Sequence, residues 1–288
     1  TGSISMQMQY LQMQKTKQRC TSIVRQITSN LHQIYIIQIL RLEQSIPDVR
    51  IRNCEVGNGK HDSLFMEMNE QIDLLCNCIV NDKLLQNGFF GLGYSLGGYL
   101  LRGYLEKYNE PKMKRLITLS SPHSGLFCGV QFKCFGHTLP KVLNSILPKL
   151  VYSDFVQNSI AEAAYWRDPY NFDMFIEKSG SLAALDNLQT FNETFKKNFL
   201  QLELLVLFGS KKDEIIWPWN SAWFGAFIDN DAELHDMTER VEYKQDLFGL
   251  RSLNEAGKVK LIESGLSHKE YTNNEAFIKN EVVTWIQE

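Results

Sequence analysis

A mainly parallel α/β sheet flanked by helices, with a helical insertion at about residues 125–200, is the fold class that this 288-residue sequence predicts. Three observations carry the prediction. Short apolar runs recur from about Ile46 onward, each closed by a polar or glycine-containing stretch. Segments with apolar residues at the helical period lie between them, and strands alternating with helices imply parallel pairing with both faces of the sheet covered. Between about 125 and 200 the strand pattern lapses into apolar-dense helical sequence containing Leu143, Ile146, Leu147, Leu150, Phe155, Tyr165 and Trp166. That stretch reads as a lid, as the wall of an apolar groove, or as ordinary packing.

In order, Val49 to Val56 reads as a strand that ends in Gly57-Asn58-Gly59. A helix is predicted from about Phe65 to Val80, because Phe65, Met68, Ile72, Leu75 and Ile79 fall near the 3.6-residue period. Gly88 to Leu92 is a short apolar strand, and Gly97 to Tyr108 a helix stopped near Pro111. Arg115–Leu119, Leu204–Phe208 and Val259–Ile262 are further strands, and about Asn274 to Trp285 forms a last helix. Residues 46–288 therefore make up the α/β domain. Residues 1–45 carry no such pattern and are expected to be a divergent N-terminal segment, weakly ordered or helical.

Hydrophobic residues make up 44% and charged residues 22%, the balance of a globular protein with a sizeable core. The net charge of -3 is scattered, with no basic run, which argues against a nucleic-acid partner. No stretch approaches the ~18 consecutive apolar residues of a membrane span, so no transmembrane segment is expected. No signal peptide is visible, and an opening Thr1 in place of Met reads as a processed or truncated end. Six cysteines permit disulfides; Cys128 and Cys134, flanking a short loop, are the better pair, whereas Cys76 and Cys78 would point to different faces of one helix. No His or Cys stands at the spacing a metal site would need. Asn192-Glu193-Thr194 is a glycosylation acceptor sequence, which fits a secretory route.

The chemistry is concentrated in Gly93-Tyr94-Ser95-Leu96-Gly97, a G-x-S-x-G sequence extended by Gly98. An apolar strand precedes it and a helix follows, the setting of the nucleophile elbow of α/β-hydrolases. Ser95 must occupy a sharp, strained turn, and Gly93 and Gly97 remove side chains that would collide with it. A serine hydroxyl needs an adjacent base, and in this fold the chain order is serine, acid, histidine. Of six histidines, His32 and His61 precede the serine, and no acid position separates His123 from it. His268, on a loop after the terminal strand, is the expected base in preference to His137 and His235. Asp213 stands on the loop after Leu204–Phe208 and is the expected acid, with Glu214 a close rival and Asp229, Asp231 and Asp246 less well placed. Its task is to accept the second imidazole N–H.

From about Ile46 to the C-terminus the chain resembles the palmitoyl-protein thioesterase family. The resemblance rests on Gly91-Leu92-Gly93-Tyr94-Ser95-Leu96-Gly97-Gly98-Tyr99-Leu100-Leu101-Arg102, the strand and loop Leu116 to Gly125, and Tyr165-Trp166-Arg167-Asp168-Pro169. It continues through Asn192 to Asn198, Trp223-Phe224-Gly225, Gln245 to Leu250 and Asn254-Glu255-Ala256-Gly257. It implies a lysosomal or secreted glycoprotein with the triad Ser95, Asp213 and His268, which removes long acyl chains from cysteine and holds the lipid in an apolar groove. The substrates implied are S-acylated proteins or peptides and acyl-CoA, acted on by a monomer without metal or organic cofactor. The alternatives are a lipase or carboxylesterase acting on oxygen esters, and a catalytically impaired lipid-binding homologue.

Three departures stand out. The family's first strand ends in a His-Gly loop that supplies an oxyanion-hole N–H, and the corresponding region, roughly Thr21 to Gln33, has no glycine. The residue after the nucleophile, usually Gln, is Leu96, whose backbone N–H still serves as one oxyanion donor. A cysteine expected near Tyr108 is absent, which leaves Cys76 without its implied partner.

Overall fold

The computed structural model describes residues 20–25, 46, 49–58, 60–128, 133–134, 137–138, 147–228 and 233–287; for 20–25, 60, 133–134, 137–138 and 147–148 it describes the backbone alone. Six strands form one all-parallel sheet in the order β2-β1-β3-β4-β7-β8. They are β1 (Cys20–Arg25), β2 (Arg50–Glu55), β3 (Phe89–Tyr94), β4 (Met113–Leu119), β7 (Leu204–Gly209) and β8 (Val259–Glu263). A two-residue hairpin within the insertion, β5 (Lys133–Cys134) with β6 (His137–Thr138), was not legible as strand.

The central strands have no polar face. Leu116, Leu205 and Leu207 point into one apolar cluster, whereas Phe90, Leu92, Ile117, Leu119, Val206 and Phe208 point into another on the opposite face. Period-2 alternation thus sends successive residues to two cores, which is why these strands read as continuous apolar runs. The second cluster is closed by the C-terminal helical segment, through Phe277, Ile278, Val282, Val283 and Ile286. The first is closed by α2 (Met68–Val80) and α3 (Leu96–Lys107) together with the insertion.

Strand β1 corrects the reading of the N-terminal segment. Residues 20–25, expected to be weakly ordered or helical, pair with β2 on one side and β3 on the other. Thr21, Ile23 and Val24 are β-branched, and six residues suffice for a strand that is flanked on both sides. The run is too short to stand out without those neighbours. The rest of 1–45 lies outside the described residues.

The helix predicted from Phe65 begins three residues later. Glu67 caps it, its carboxylate accepting the N–H groups of Asn69 and Glu70. Phe65 belongs instead to a preceding helix, α1 (Lys60–Phe65), and is exposed. Cys78 of α2 pairs with Cys54 of β2, a disulfide that the sequence did not point to, and tethers the helix to the edge strand. Cys76 keeps a free thiol. Cys128 is disulfide-bonded, while the Cys134 side chain lies outside the described residues.

The insertion is seated on a buried ionic cluster. Arg102 of α3 donates to Glu106 at 2.7 Å and to Asp186 at 2.7 Å. Arg240 donates to Asp186 at 2.6 Å and lies 3.0 Å from Glu242. Arg167 donates to Glu242 at 2.6 Å and to Asp186 at 3.3 Å. All six side chains are at most 3% exposed. Burial pushes the Glu106 carboxyl up to about 8 against the pull of Arg102. Burial also raises Glu242, but the charges of Arg167 and Arg240 outweigh it and bring that carboxyl to about 2. Among the described residues no helix is long and apolar enough to cross a membrane.

Candidate active site

The strand order reverses between β1 and β3, because the chain runs from β1 outward to β2 and then returns to the other side of β1. A crevice opens at the carboxyl ends of the strands at such a switch point. Ser95 follows β3 at this place, with φ 53° and ψ -127°. A non-glycine residue in that region is strained and is held there by its surroundings. The Ser95 N–H donates to Leu119 O at 2.9 Å, tying the turn to the end of β4. A Cβ on Gly93 would collide with the backbone of Gly98, and one on Gly98 would collide with the Ser121 side chain. The close approach of helix to strand therefore depends on Gly93, as the motif predicts, and on Gly98, to which the sequence assigned no role.

Ser95 sits at the N-cap of α3 yet does not cap it with its side chain. A capping serine would turn its oxygen toward the helix N–H groups. Here Oγ lies 3.0 Å from His268 Nε2. The other ring nitrogen, Nδ1, is 2.8 Å from Asp213 Oδ2. A carboxylate only accepts, so Nδ1 carries the proton and donates to Asp213, leaving the Nε2 lone pair to accept from the serine hydroxyl. The three residues arrive on loops after β3, β7 and β8, and Asp213 and His268 are buried.

Asp213 is saturated with donors. Its Oδ1 accepts the N–H groups of Ile215 and Ile216, each at 2.8 Å, and its Oδ2 accepts from Ser120 Oγ in addition to His268. Burial pushes the carboxyl up, but the hydrogen bond and charge of His268, with the Ser120 and Ile216 bonds, hold it below the usual carboxylate range. Glu214, the rival acid, does not reach the ring. Its carboxylate instead accepts the backbone N–H of His268 at 3.0 Å. The Tyr94 hydroxyl donates to His268 O at 2.9 Å, so both the N–H and the carbonyl of His268 are anchored.

The remaining candidates fall elsewhere. His123 is fully buried, with Nε2 3.0 Å from Thr118 Oγ1 and its ring stacked on Phe224, and burial followed by the Arg102 charge holds it well below the usual histidine range. His61 and His235 pair with Asp62 and Glu239, and Asp246 accepts from Ser252 and Lys196. Asp229, Asp231 and His32 lie outside the described residues, as does the His137 side chain. Leu96 is the first residue of α3, so its N–H has no acceptor within the helix and is available to an oxyanion. The region after β1, where the family's His-Gly loop would fall, lies outside the described residues. Among the described residues no group of three or more His, Cys, Asp or Glu is placed to hold a metal ion.

Serine, acid and base in this chain order, on strand ends of a parallel sheet, make an α/β-hydrolase arrangement. The chain is 32% identical over 232 residues to palmitoyl-protein thioesterase 3 of Dictyostelium discoideum, covering 80% of this chain and 78% of that one. It is 29% identical to palmitoyl-protein thioesterase 1 of Caenorhabditis elegans over 78% of this chain and 77% of that one. With the human lysosomal thioesterase PPT2 it shares 31% identity over 67% of this chain and 64% of that one. The sequence model described as palmitoyl protein thioesterase matches residues 21–268, a span that opens within β1 and closes on His268. The chain belongs to the palmitoyl protein thioesterase family.

Proposed function

We propose that this protein hydrolyses long-chain fatty-acyl thioesters of cysteine, as in S-palmitoylated proteins or peptides, through an acyl-serine intermediate. The observation that carries the reading is the unbroken line from Ser95 Oγ to His268 Nε2 and from Nδ1 to Asp213, at 3.0 and 2.8 Å, in a chain of a thioesterase family. Ser95 Oγ attacks the thioester carbonyl while His268 Nε2 takes its proton. The carbonyl oxygen gathers negative charge beside the Leu96 N–H at the positive end of α3. The tetrahedral adduct collapses, the C–S bond breaks, and the departing sulfur receives the proton from His268. Water then attacks the acyl-serine with His268 again as base, releasing fatty acid and restoring Ser95. Asp213 remains ionised, orients the ring and stabilises the imidazolium. Relatives named lysosomal thioesterases support a lysosomal setting.

The test is a comparison of rates on matched palmitoyl thioester and oxygen-ester substrates, with Ser95→Ala alongside. Preference for the thioester is expected, together with loss of labelling by a serine-directed phosphonate in the variant. Faster turnover of the oxygen ester would replace the reading with an esterase, and unchanged labelling of Ser95→Ala would remove the nucleophile.

A further inference from the structure

We infer that Ser120 is a positioning residue of the active site, whose hydroxyl holds the Asp213 carboxylate on His268 throughout the catalytic cycle. The inference rests on the triad reading above. Ser120 is the first residue beyond β4, is 1% exposed and has φ 50°. Its backbone N–H donates to Phe208 O at 2.8 Å, carrying the β4–β7 ladder one residue beyond the strand. This places the side chain beside the loop that leaves β7 and bears Asp213. The left-handed backbone is costly for serine and free for glycine, so a serine here calls for a reason located in its side chain.

The partners of Asp213 supply that reason. Its Oδ1 is held by two N–H groups of its own turn, Ile215 and Ile216, which sit two and three residues along the chain. Its Oδ2, the oxygen that faces His268, accepts from two groups among the described residues, His268 Nδ1 and Ser120 Oγ. A carboxylate cannot donate, so the serine hydroxyl must. His268 passes from imidazole to imidazolium and back twice in every turnover, once in acylation and once in deacylation. Ser120 is the Oδ2 donor whose protonation never changes. It is also the one that comes from outside the loop carrying the acid and the loop carrying the base. Other ionisable groups around the pair are Glu214, on the backbone of His268, and Tyr271, which senses the Asp213 charge. Neither donates to Oδ2.

Two variants separate positioning from folding. Ser120→Ala removes the hydroxyl and keeps Cβ, and Ser120→Gly removes both while suiting the left-handed backbone, so the glycine variant is expected to fold with an undiminished melting temperature. In both, kcat on a palmitoyl-cysteine peptide should fall by roughly 10- to 100-fold at unchanged KM, the cost of a misplaced catalytic group. The acid limb of the kcat/KM profile should move to lower pH, because a carboxylate that has swung away no longer stabilises the imidazolium. An unchanged kcat in folded Ser120→Gly would overturn the inference. So would a limb moving to higher pH, which would show the carboxylate still on the ring. Ser95→Ala, run in parallel, tells the two failures apart: an active Ser95→Ala removes the triad reading itself, whereas an inactive Ser95→Ala beside an unaffected Ser120→Gly removes only the role of Ser120.

Discussion

Two polar clusters meet α3 at different points along its length, and they differ in what their groups can do. At its N-terminus, Ser95, His268 and Asp213 form a line in which His268 meets both of the others, and Ser95, at one end, is partly open to solvent. Further along the same helix, Arg102 and Glu106 enter a cluster with Asp186, Arg167, Arg240 and Glu242 that is closed to water and built around guanidinium groups. Arginine does not release its proton at any accessible pH, and the cluster's carboxyl groups have no opening to solvent, so the second cluster has no outlet through which to pass a proton to a substrate. What it can do is join three distant stretches of chain: the helix of the nucleophile, the insertion and the segment around Arg240. Titratable groups alone therefore do not mark an active site; an exposed end and a base that can change charge do.

The sharpest way to break this contrast is to remove an acid from each cluster. Asp213→Asn should lower kcat by about 10⁴-fold, because an amide offers the wrong hydrogen-bonding pattern to Nδ1, with little change in stability. Asp186→Ala should do the reverse. It strips the carboxylate shared by Arg102, Arg167 and Arg240, leaves buried guanidinium groups uncompensated and should cost about 3–5 kcal/mol in a denaturant titration. Should Asp186→Ala keep full stability and lose only activity, the division between the clusters fails.

These two regions also differed in how far the sequence disclosed them. The candidate site was partly legible because the fold constrains it tightly: Gly93-Tyr94-Ser95-Leu96-Gly97 needs a strand before and a helix after, and chain order then favours His268 and Asp213, with Glu214 still a close rival. Ser120 was not legible, since its role depends on β4 and β7 being neighbours, a pairing that links residues far apart in sequence. The ionic cluster was hidden for the same reason, as Arg102, Asp186 and Arg240 look like surface charges until the insertion folds over them. Strand β1 was missed because six residues of modest hydropathy become a strand only when β2 and β3 flank them.

A smaller effect concerns pH. The Glu106 carboxyl, pushed by burial from an ordinary 4.5 to about 8, holds its proton in the native state over a window in which the unfolded chain has released it. Its contribution to stability therefore falls as pH rises from about 4.5 toward about 8, by up to ~1.4 kcal/mol per unit. Glu242, held at about 2, works in the opposite sense: its contribution is complete above 4.5 and is lost as pH falls toward 2. Glu106→Gln keeps the shape and removes the titration. Unfolding free energies compared at about pH 5 and about pH 7.5 should lose up to roughly 3 kcal/mol more in the parent than in the variant. Parallel pH dependence in the two proteins would mean that Glu106 is already ionised at neutrality and that Arg102 outweighs burial.

The smallest effect separates two neighbouring acids. Asp213 and Glu214 stand side by side after β7, and sequence position alone left them rivals. Asp213 is buried and meets the imidazole; Glu214 is exposed and meets the backbone N–H of His268 at 3.0 Å. A single solvent-accessible hydrogen bond contributes about 1 kcal/mol, and here it steadies the loop of the base without touching the proton path. Glu214→Ala should therefore lower kcat by no more than about 5-fold, the equivalent of ~1 kcal/mol, with KM unchanged. The informative quantity is the ratio to Asp213→Asn. If Glu214→Ala costs as much as Asp213→Asn, the orienting acid is the exposed one, and burial of the carboxylate partner is not what makes this cluster catalytic. If the two differ by about three orders of magnitude, the depth of the acid and its contact with the ring decide which carboxylate the serine and histidine depend on.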